Sequence, residues 1–66
     1  MKLNIQTSGG DLVFSKDAPP TEILPLVEFI AGQTVIEIDG KSYNPTRMDS
    51  AVQGGDFVIH VTCIHR

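Results

Sequence analysis

Residues 54–66, GGDFVIHVTCIHR, contain the strongest indication of the fold in this sequence. Valine, isoleucine, phenylalanine and threonine dominate the stretch after Asp56, and such side chains favour strands. The two glycines and Asp56 before them are typical of a tight turn. Apolar residues occupy both faces of the strand, which predicts a central strand with one face in the core and the other available for contact.

The segment before this strand contains a second turn signal. Asp39-Gly40 separates two extended stretches in residues 35–45, VIEIDGKSYNP, and an Asp-Gly pair in this setting strongly indicates a two-residue hairpin turn. Residues 46–55, TRMDSAVQGG, have little strand pattern, and the four-residue spacing of Met48 and Val52 predicts one helical turn. We therefore expect a third strand, a short fourth strand and a helical turn.

The first half of the chain predicts a hairpin followed by the one helix. Residues 2–6, KLNIQ, alternate polar and apolar side chains, TSGG supplies a turn, and DLVFS resumes the extended pattern. Residues 16–33, KDAPPTEILPLVEFIAGQ, change to helical spacing.

The ends of this helix carry several signals. Asp17 or Thr21 is a candidate cap, and Gly32 suits a left-handed residue that closes the helix. Pro25 lacks a backbone N–H, so we expect either a later start or a bent first turn.

The predicted order is strand, strand, helix, strand, short strand, turn and strand. A single helix covers one face of a mixed sheet, which gives a two-layer α+β fold. Residues 1–66 form one domain, because a chain this short buries only about 60% of its unfolded surface and has no material for a second core.

Composition excludes several partners. The formal net charge is −3, and the five lysines and arginines are scattered, so no basic stripe is present to neutralise nucleic-acid phosphates or anionic lipids. The first ten residues have no apolar run long enough for a signal peptide or a membrane span. The single Cys63 forms no internal disulfide. These features predict a cytoplasmic protein that binds neither nucleic acid nor membrane.

Two segments resemble the ubiquitin-like β-grasp fold, and within it the sulfur-carrier proteins of thiamine and molybdopterin synthesis. VIEIDGKSYNP resembles the family's hydrophobic strand, tight turn and return to a proline, and residues 51–61, AVQGGDFVIHV, resemble its Gly-Asp turn into the last strand. The resemblance implies a β-grasp-like sheet in ββαββ order with the helix packed on one face. Those carriers end in an exposed diglycine, whereas this sequence ends on His65-Arg66 and Gly54-Gly55 is internal. Carrier activity is therefore not inherited unless the chain is processed.

The reactive side chains do not form a pattern that indicates catalysis. Cys63 and His65 share one strand face and His60 lies on the other, so this strand alone supplies no three-ligand metal site. No pair of acidic residues has a spacing that indicates general acid–base catalysis. Asp39 and Asp56 are typical turn formers. We expect no enzyme activity, no catalytic residues, no metal and no cofactor.

The sheet face away from the helix is the candidate binding surface. We expect the helix to cover Leu3, Ile5, Leu12, Phe14, Ile36, Ile38, Phe57, Ile59 and Val61, and Asn4, Gln6 and the candidate binding residues to point outward. Several of the outward side chains are aliphatic, and an apolar patch on an uncovered sheet usually marks a partner or self-association surface. The candidate partner-binding residues are Val13, Val35, Glu37, Val58, His60, Thr62 and Ile64.

The sequence therefore predicts a small non-enzymatic protein-binding module that uses its open sheet face or an exposed edge strand to engage another protein or its own copy. A small acidic single-domain protein of this kind suits the role of an inhibitor or accessory factor, including one encoded by a phage or mobile element. One alternative is a degenerate sulfur-carrier relative that docks on the family's partner enzymes. Another is an oligomer that sequesters a small ligand between subunits, with polar contacts from Asn4, Lys41, Arg47 or His60; the ligand itself is not indicated.

Overall fold

The structure, a computed structural model, describes residues 1–65. Its elements are β1 (Lys2–Thr7), β2 (Leu12–Asp17), α1 (Pro20–Ala31), β3 (Ile36–Ile38), β4 (Lys41–Gln53) and β5 (Asp56–His65). The strands form one mixed sheet in the order β2-β1-β5-β4-β3, in which β1 and β5 are parallel and all other neighbours are antiparallel. A small α+β fold with one helix and a mixed sheet is confirmed, with strand as the main content. The element order along the chain is ββαβββ, which has one strand more than the ββαββ order that the resemblance implies.

The core lies between α1 and one face of the sheet, which we call the helix-side face; the opposite face is the open face. Ile23 and Ile30 of the helix pack against buried side chains of the central strands. The buried sheet residues of this cluster are Leu3, Ile5, Ile36, Tyr43, Ile59, Val61 and Cys63. β5 occupies the middle of the sheet, as its apolar sequence predicts, because only a central strand has a neighbour on each side.

The caps at the two ends of the helix differ from expectation. Pro20 is its first residue, where the missing N–H costs nothing, and Pro25 lies inside it. The prediction of a cap by Asp17 or Thr21 is wrong, since no side chain of residues 1–65 caps the first turn. The prediction of a left-handed Gly32 is also wrong: its φ is −89°, and its N–H bonds back to the last helical turn.

No helix of residues 1–65 is long and apolar enough to span a membrane.

The two tight turns predicted in the second half of the chain are present. Asp39 and Gly40 have φ values of 50° and 77°, and Gly54 and Gly55 have values of 58° and 81°. Positive φ at both central residues matches the right-handed twist of the flanking strands, which is why Asp-Gly and Gly-Gly occur here. Asp56, predicted to be a turn former, instead directly follows the turn as the first residue of β5, where it accepts a hydrogen bond from the N–H of Phe57 at 2.9 Å.

The predicted helical turn at Met48 and Val52 is wrong, and so is the short fourth strand. β4 runs unbroken over 13 residues, because each of residues 47–53 pairs with a residue of β5. The register shifts once, between Pro45 and Arg47, where the extra residue Thr46 donates its hydroxyl hydrogen to the carbonyl of Thr62 at 3.2 Å. The backbone hydrogen bonds to β5 outweigh the weak preference of residues 46–53 for a helical turn.

A second register shift reverses two predicted orientations in β2. Ile5 pairs with Phe14 and Gln6 pairs with Leu12, so Val13 has no cross-strand partner and alternation is interrupted. Leu12 lies beside Gln6 on the open face with 61% of its surface exposed, where an inward position was predicted. Val13 packs against the core cluster instead of pointing outward. It therefore does not belong to the predicted open-face surface.

Candidate functional site

The open face carries less exposed apolar surface than the sequence predicted. Val58 lies there between Lys2 and Ala51 but is only 3% exposed. Val35 precedes β3, outside the strands, and is half-buried. Ile64 is 50% exposed. Of the predicted aliphatic side chains, within residues 1–65, Ile64 alone offers a substantially exposed surface on this face.

Polar side chains occupy the middle of the open face. Asn4 lies between Ser15 and His60, and Asp49 follows on the other side of His60. Ser15 donates a hydrogen bond to the amide oxygen of Asn4 at 2.7 Å, and the Arg47 Nε lies 2.8 Å from a carboxylate oxygen of Asp49.

The remaining predicted positions are distributed over the molecule. Thr62 is half-buried beside Arg47, and Glu37 is exposed at the β3 edge opposite Ser42. Lys41 lies opposite Ile38, whose side chain packs against the core, so Lys41 belongs to the helix-side face. The structure thus places Asn4, Arg47 and His60 close together on the open face, in neighbouring cross-strand pairs, and places Lys41 on the helix-side face. Arg66, which ends the sequence, lies outside the described residues.

In the described part of the chain, the outer edge of β4 is unpaired along most of the length of this strand. β3 is only three residues long and pairs with residues 41–43. Residues 44–53 continue beside β5, and no other strand within residues 1–65 pairs with their opposite side. We call residues 44–53 the β4 edge. An unpaired strand edge presents backbone N–H and C=O groups that are free to bond another strand.

The turn geometry identifies which backbone groups point outward. Gln53 pairs with Asp56 across the two-residue turn, and the pair that flanks such a turn exchanges hydrogen bonds. Bonding direction alternates along a strand, so the odd-numbered residues from 47 to 53 bond β5. The N–H and C=O groups of Met48, Ser50 and Val52 therefore point away from the sheet.

Apolar side chains accompany these backbone groups. Met48 pairs with the core residue Val61, so Met48, Ser50 and Val52 lie on the helix-side face. Met48 is 39% exposed and Val52 is 70% exposed, and Phe57, directly opposite Val52, is 44% exposed. A strand added at this edge would cover side chains that are now in water.

A cavity of about 260 Å³ lies next to the same edge. Ala31 and Gln33, at the C-terminal end of α1, form one wall, and Pro45, Thr46 and Met48 form the other. A side chain from an added strand would have space here without a change in the core.

A second, more polar cleft of about 420 Å³ lies where the β1–β2 and β3–β4 turns approach the end of β5. Thr7, Asp11, Lys41, Tyr43 and His65 contribute to its lining, and the Tyr43 and His65 rings lie 5.1 Å apart. The sequence did not predict this cleft, since it depends on two distant turns meeting at one end of the sheet.

Cys63 does not belong to any of these surfaces. Its side chain is fully buried, and its Sγ donates a hydrogen bond to the carbonyl oxygen of Gln6 at 3.3 Å. Burial raises the pKa of the Cys63 thiol, because the thiolate is poorly solvated there.

The β4 edge was missed because residues 46–55 were predicted to turn rather than extend. Pro45 is the sequence signal that points to it, since proline within a sheet is confined to edge strands, strand starts and bulges. Comparisons of the chain with protein-family models, curated proteins and solved structures returned no match.

Proposed function

We propose that this chain is a small non-enzymatic protein-binding module, which binds an extended segment of another polypeptide along the β4 edge. The observation that carries this proposal is the unpaired edge of β4, with the backbone groups of Met48, Ser50 and Val52 directed outward. Strand addition to such an edge is a common mode of peptide recognition, in which main-chain bonds supply affinity and alternate side chains supply specificity.

The extent of the edge limits the added strand. Pro45 lacks an N–H, and the extra residue Thr46 interrupts the ladder beside it. The Gly54-Gly55 turn closes the other end. Residues 48–52 remain as a regular window, and an added strand of about five residues matches it.

Side-chain chemistry on the two faces of this window differs. Met48, Val52 and Phe57 present exposed apolar surface on the helix-side face, whereas Arg47 and Asp49 form an ion pair on the open face. A partner segment with apolar residues at alternate positions and polar residues between them fits both faces.

For the fold, we propose a β-grasp-like arrangement. It is supported by the parallel pairing of the first and last strands at the centre of the sheet and by one helix that follows the first hairpin and packs on one face. This likeness concerns architecture alone, because a fold does not specify a function.

A displayed library of extended peptides of about ten residues tests the function, since this length exceeds the window. Peptides selected on the wild-type protein are then measured against Ser50→Pro and Ser50→Ala. The proline removes an outward N–H without removing a bond to β5, whereas the alanine keeps this N–H. We expect equal binding to wild type and Ser50→Ala, and at least about tenfold weaker binding to Ser50→Pro, or about 1.4 kcal/mol.

The binding measurements can contradict the proposal as well as support it. Equal binding of the selected peptides to Ser50→Pro and Ser50→Ala would contradict the proposal, and so would the failure to select any peptide. Circular dichroism of both variants checks that the sheet is intact.

A further inference from the structure

The β4 edge is self-complementary, and we infer that in the isolated protein it pairs with the β4 edge of a second copy, forming a two-fold symmetric dimer. This inference rests on the proposed function, because it names the occupant of the same edge. An antiparallel strand pair has a two-fold axis, so one surface patch contacts its own copy. The resulting sheet would continue across both subunits, with both helices on the same side.

Backbone geometry restricts the register of this pairing. Only residues with outward N–H and C=O groups exchange hydrogen bonds across the interface, and within the window these are Met48, Ser50 and Val52. An axis at Ser50 sets Ser50 opposite the partner's Ser50 and Met48 opposite the partner's Val52. This register uses all three residues of each copy, for about six main-chain hydrogen bonds.

Charge supports the same register. With the axis at Ser50, Asp49 lies opposite the partner's Ala51, and Arg47 lies opposite the partner's Gln53, so no like charges face each other directly. An axis at Asp49 would instead set Asp49 against the partner's Asp49, and like charges directly opposite are destabilising. An axis at Met48 would set Ser50 against the partner's Thr46, the extra residue that interrupts the β4 ladder.

The exposed apolar side chains also meet in this arrangement. The partner's Val52 would lie beside Met48, which lines the 260 Å³ cavity at the end of α1. Two such contacts form per dimer, and each covers a valine that is 70% exposed in the single chain. The contact is small, which is typical of weak and reversible association in the range of about 10⁻⁶ to 10⁻⁴ M.

Sedimentation equilibrium between about 10⁻⁶ and 10⁻³ M, a range that spans such an affinity, measures the association. We expect dimers of wild type and Ser50→Ala and monomers of Ser50→Pro, since proline removes a donor from both sides of the central pair. Dimerisation of Ser50→Pro, or a wild-type monomer throughout this range, would overturn the inference.

Disulfide trapping tests the register. Ser50→Cys places two thiols on the two-fold axis, where the Cα separation of about 5.5 Å suits a disulfide. Asp49→Cys, on the other face, has the partner's Ala51 opposite and serves as the matched control. The wild-type protein, whose single cysteine is the buried Cys63, gives the background rate of cross-linking. We expect Ser50→Cys to cross-link at least about tenfold faster than Asp49→Cys, and equal rates would overturn the register.

A charge exchange gives an independent test. Met48→Glu and Val52→Lys should each weaken dimerisation, and the double variant should recover it, because each glutamate then faces the partner's lysine across the interface. Residues 48 and 52 of one chain are about 13 Å apart along the strand, so they do not form this pair within a subunit. No recovery in the double variant would contradict the pairing.

The outcomes separate the two proposals. A monomeric protein whose selected peptides still require the Ser50 N–H would refute self-pairing and support peptide binding at the edge. The opposite result would be a dimer that cross-links through Ser50→Cys, together with selected peptides that bind Ser50→Pro and Ser50→Ala equally. It would support self-pairing and refute the proposed function.

Discussion

The thiol of Cys63 in β5 donates a hydrogen bond to the carbonyl oxygen of Gln6 in the parallel neighbour β1, across 3.3 Å. This contact joins the first and last strands of the chain at the centre of the sheet. Because Cys63 is fully buried, the pKa of its thiol is raised by desolvation. Its reactivity and its contribution to stability both follow from this position.

We predict that Cys63 is unreactive in the folded protein. A raised pKa in the folded state means that its contribution to stability is fully present below the ordinary thiol pKa of 9.0 and is lost as pH rises through the folded pKa. The difference in unfolding free energy between wild type and Cys63→Ala, about 1 kcal/mol for a small buried group, should therefore shrink in alkali. Thiol labelling without denaturant that matches the labelling rate in urea would contradict burial.

We predict that Pro25→Ala stabilises the protein. Pro25 is exposed inside α1, and alanine would restore an N–H that can bond the carbonyl of Thr21. The expected gain is about 1–3 kcal/mol in urea unfolding. Pro20→Ala is the matched control, because proline at the first helical position is well tolerated, and its effect should be small. Equal effects of the two substitutions would count against this account.

We predict that Gly40→Ala destabilises the β3–β4 hairpin by conformational strain alone. Gly40 has φ of 77°, and an added Cβ would meet no atom within 4 Å. A left-handed conformation costs an L-residue about 1–2 kcal/mol. Gly9→Ala, at a turn position without positive φ and with its nearest contact at 3.8 Å, should be close to neutral. Thermal unfolding compares the two, and a neutral Gly40→Ala would contradict the prediction.

We predict that Ile23→Ala leaves a large fraction of the protein unfolded. Ile23 is fully buried against the sheet, and truncation of such a residue costs about 2–5 kcal/mol, comparable to the whole stability of about 3–5 kcal/mol expected for a domain this small. Leu24→Ala, at a neighbouring side chain that is 46% exposed, should cost much less. One-dimensional NMR gives the folded fraction, and a fully folded Ile23→Ala variant would show that the core tolerates the cavity.

The elements that the sequence predicts correctly are those whose signals are local. The Asp39-Gly40 and Gly54-Gly55 turns, the helix and the central strand β5 follow from φ preferences, apolar spacing and β-branched composition, all of which act over a few residues. The alternation of Cys63 and His60 to opposite faces follows from the same short-range geometry.

Local sequence preferences thus account for the turns, the helix and the strand at the centre of the sheet. The tertiary structure made residues 46–53 extend, because their hydrogen bonds go to β5. It also placed Val13 in the core and Leu12 on the open face, through an interrupted register with β1. The β4 edge exists because β3 ends after three residues while β4 continues, and the relative length of two paired strands depends on the whole sheet.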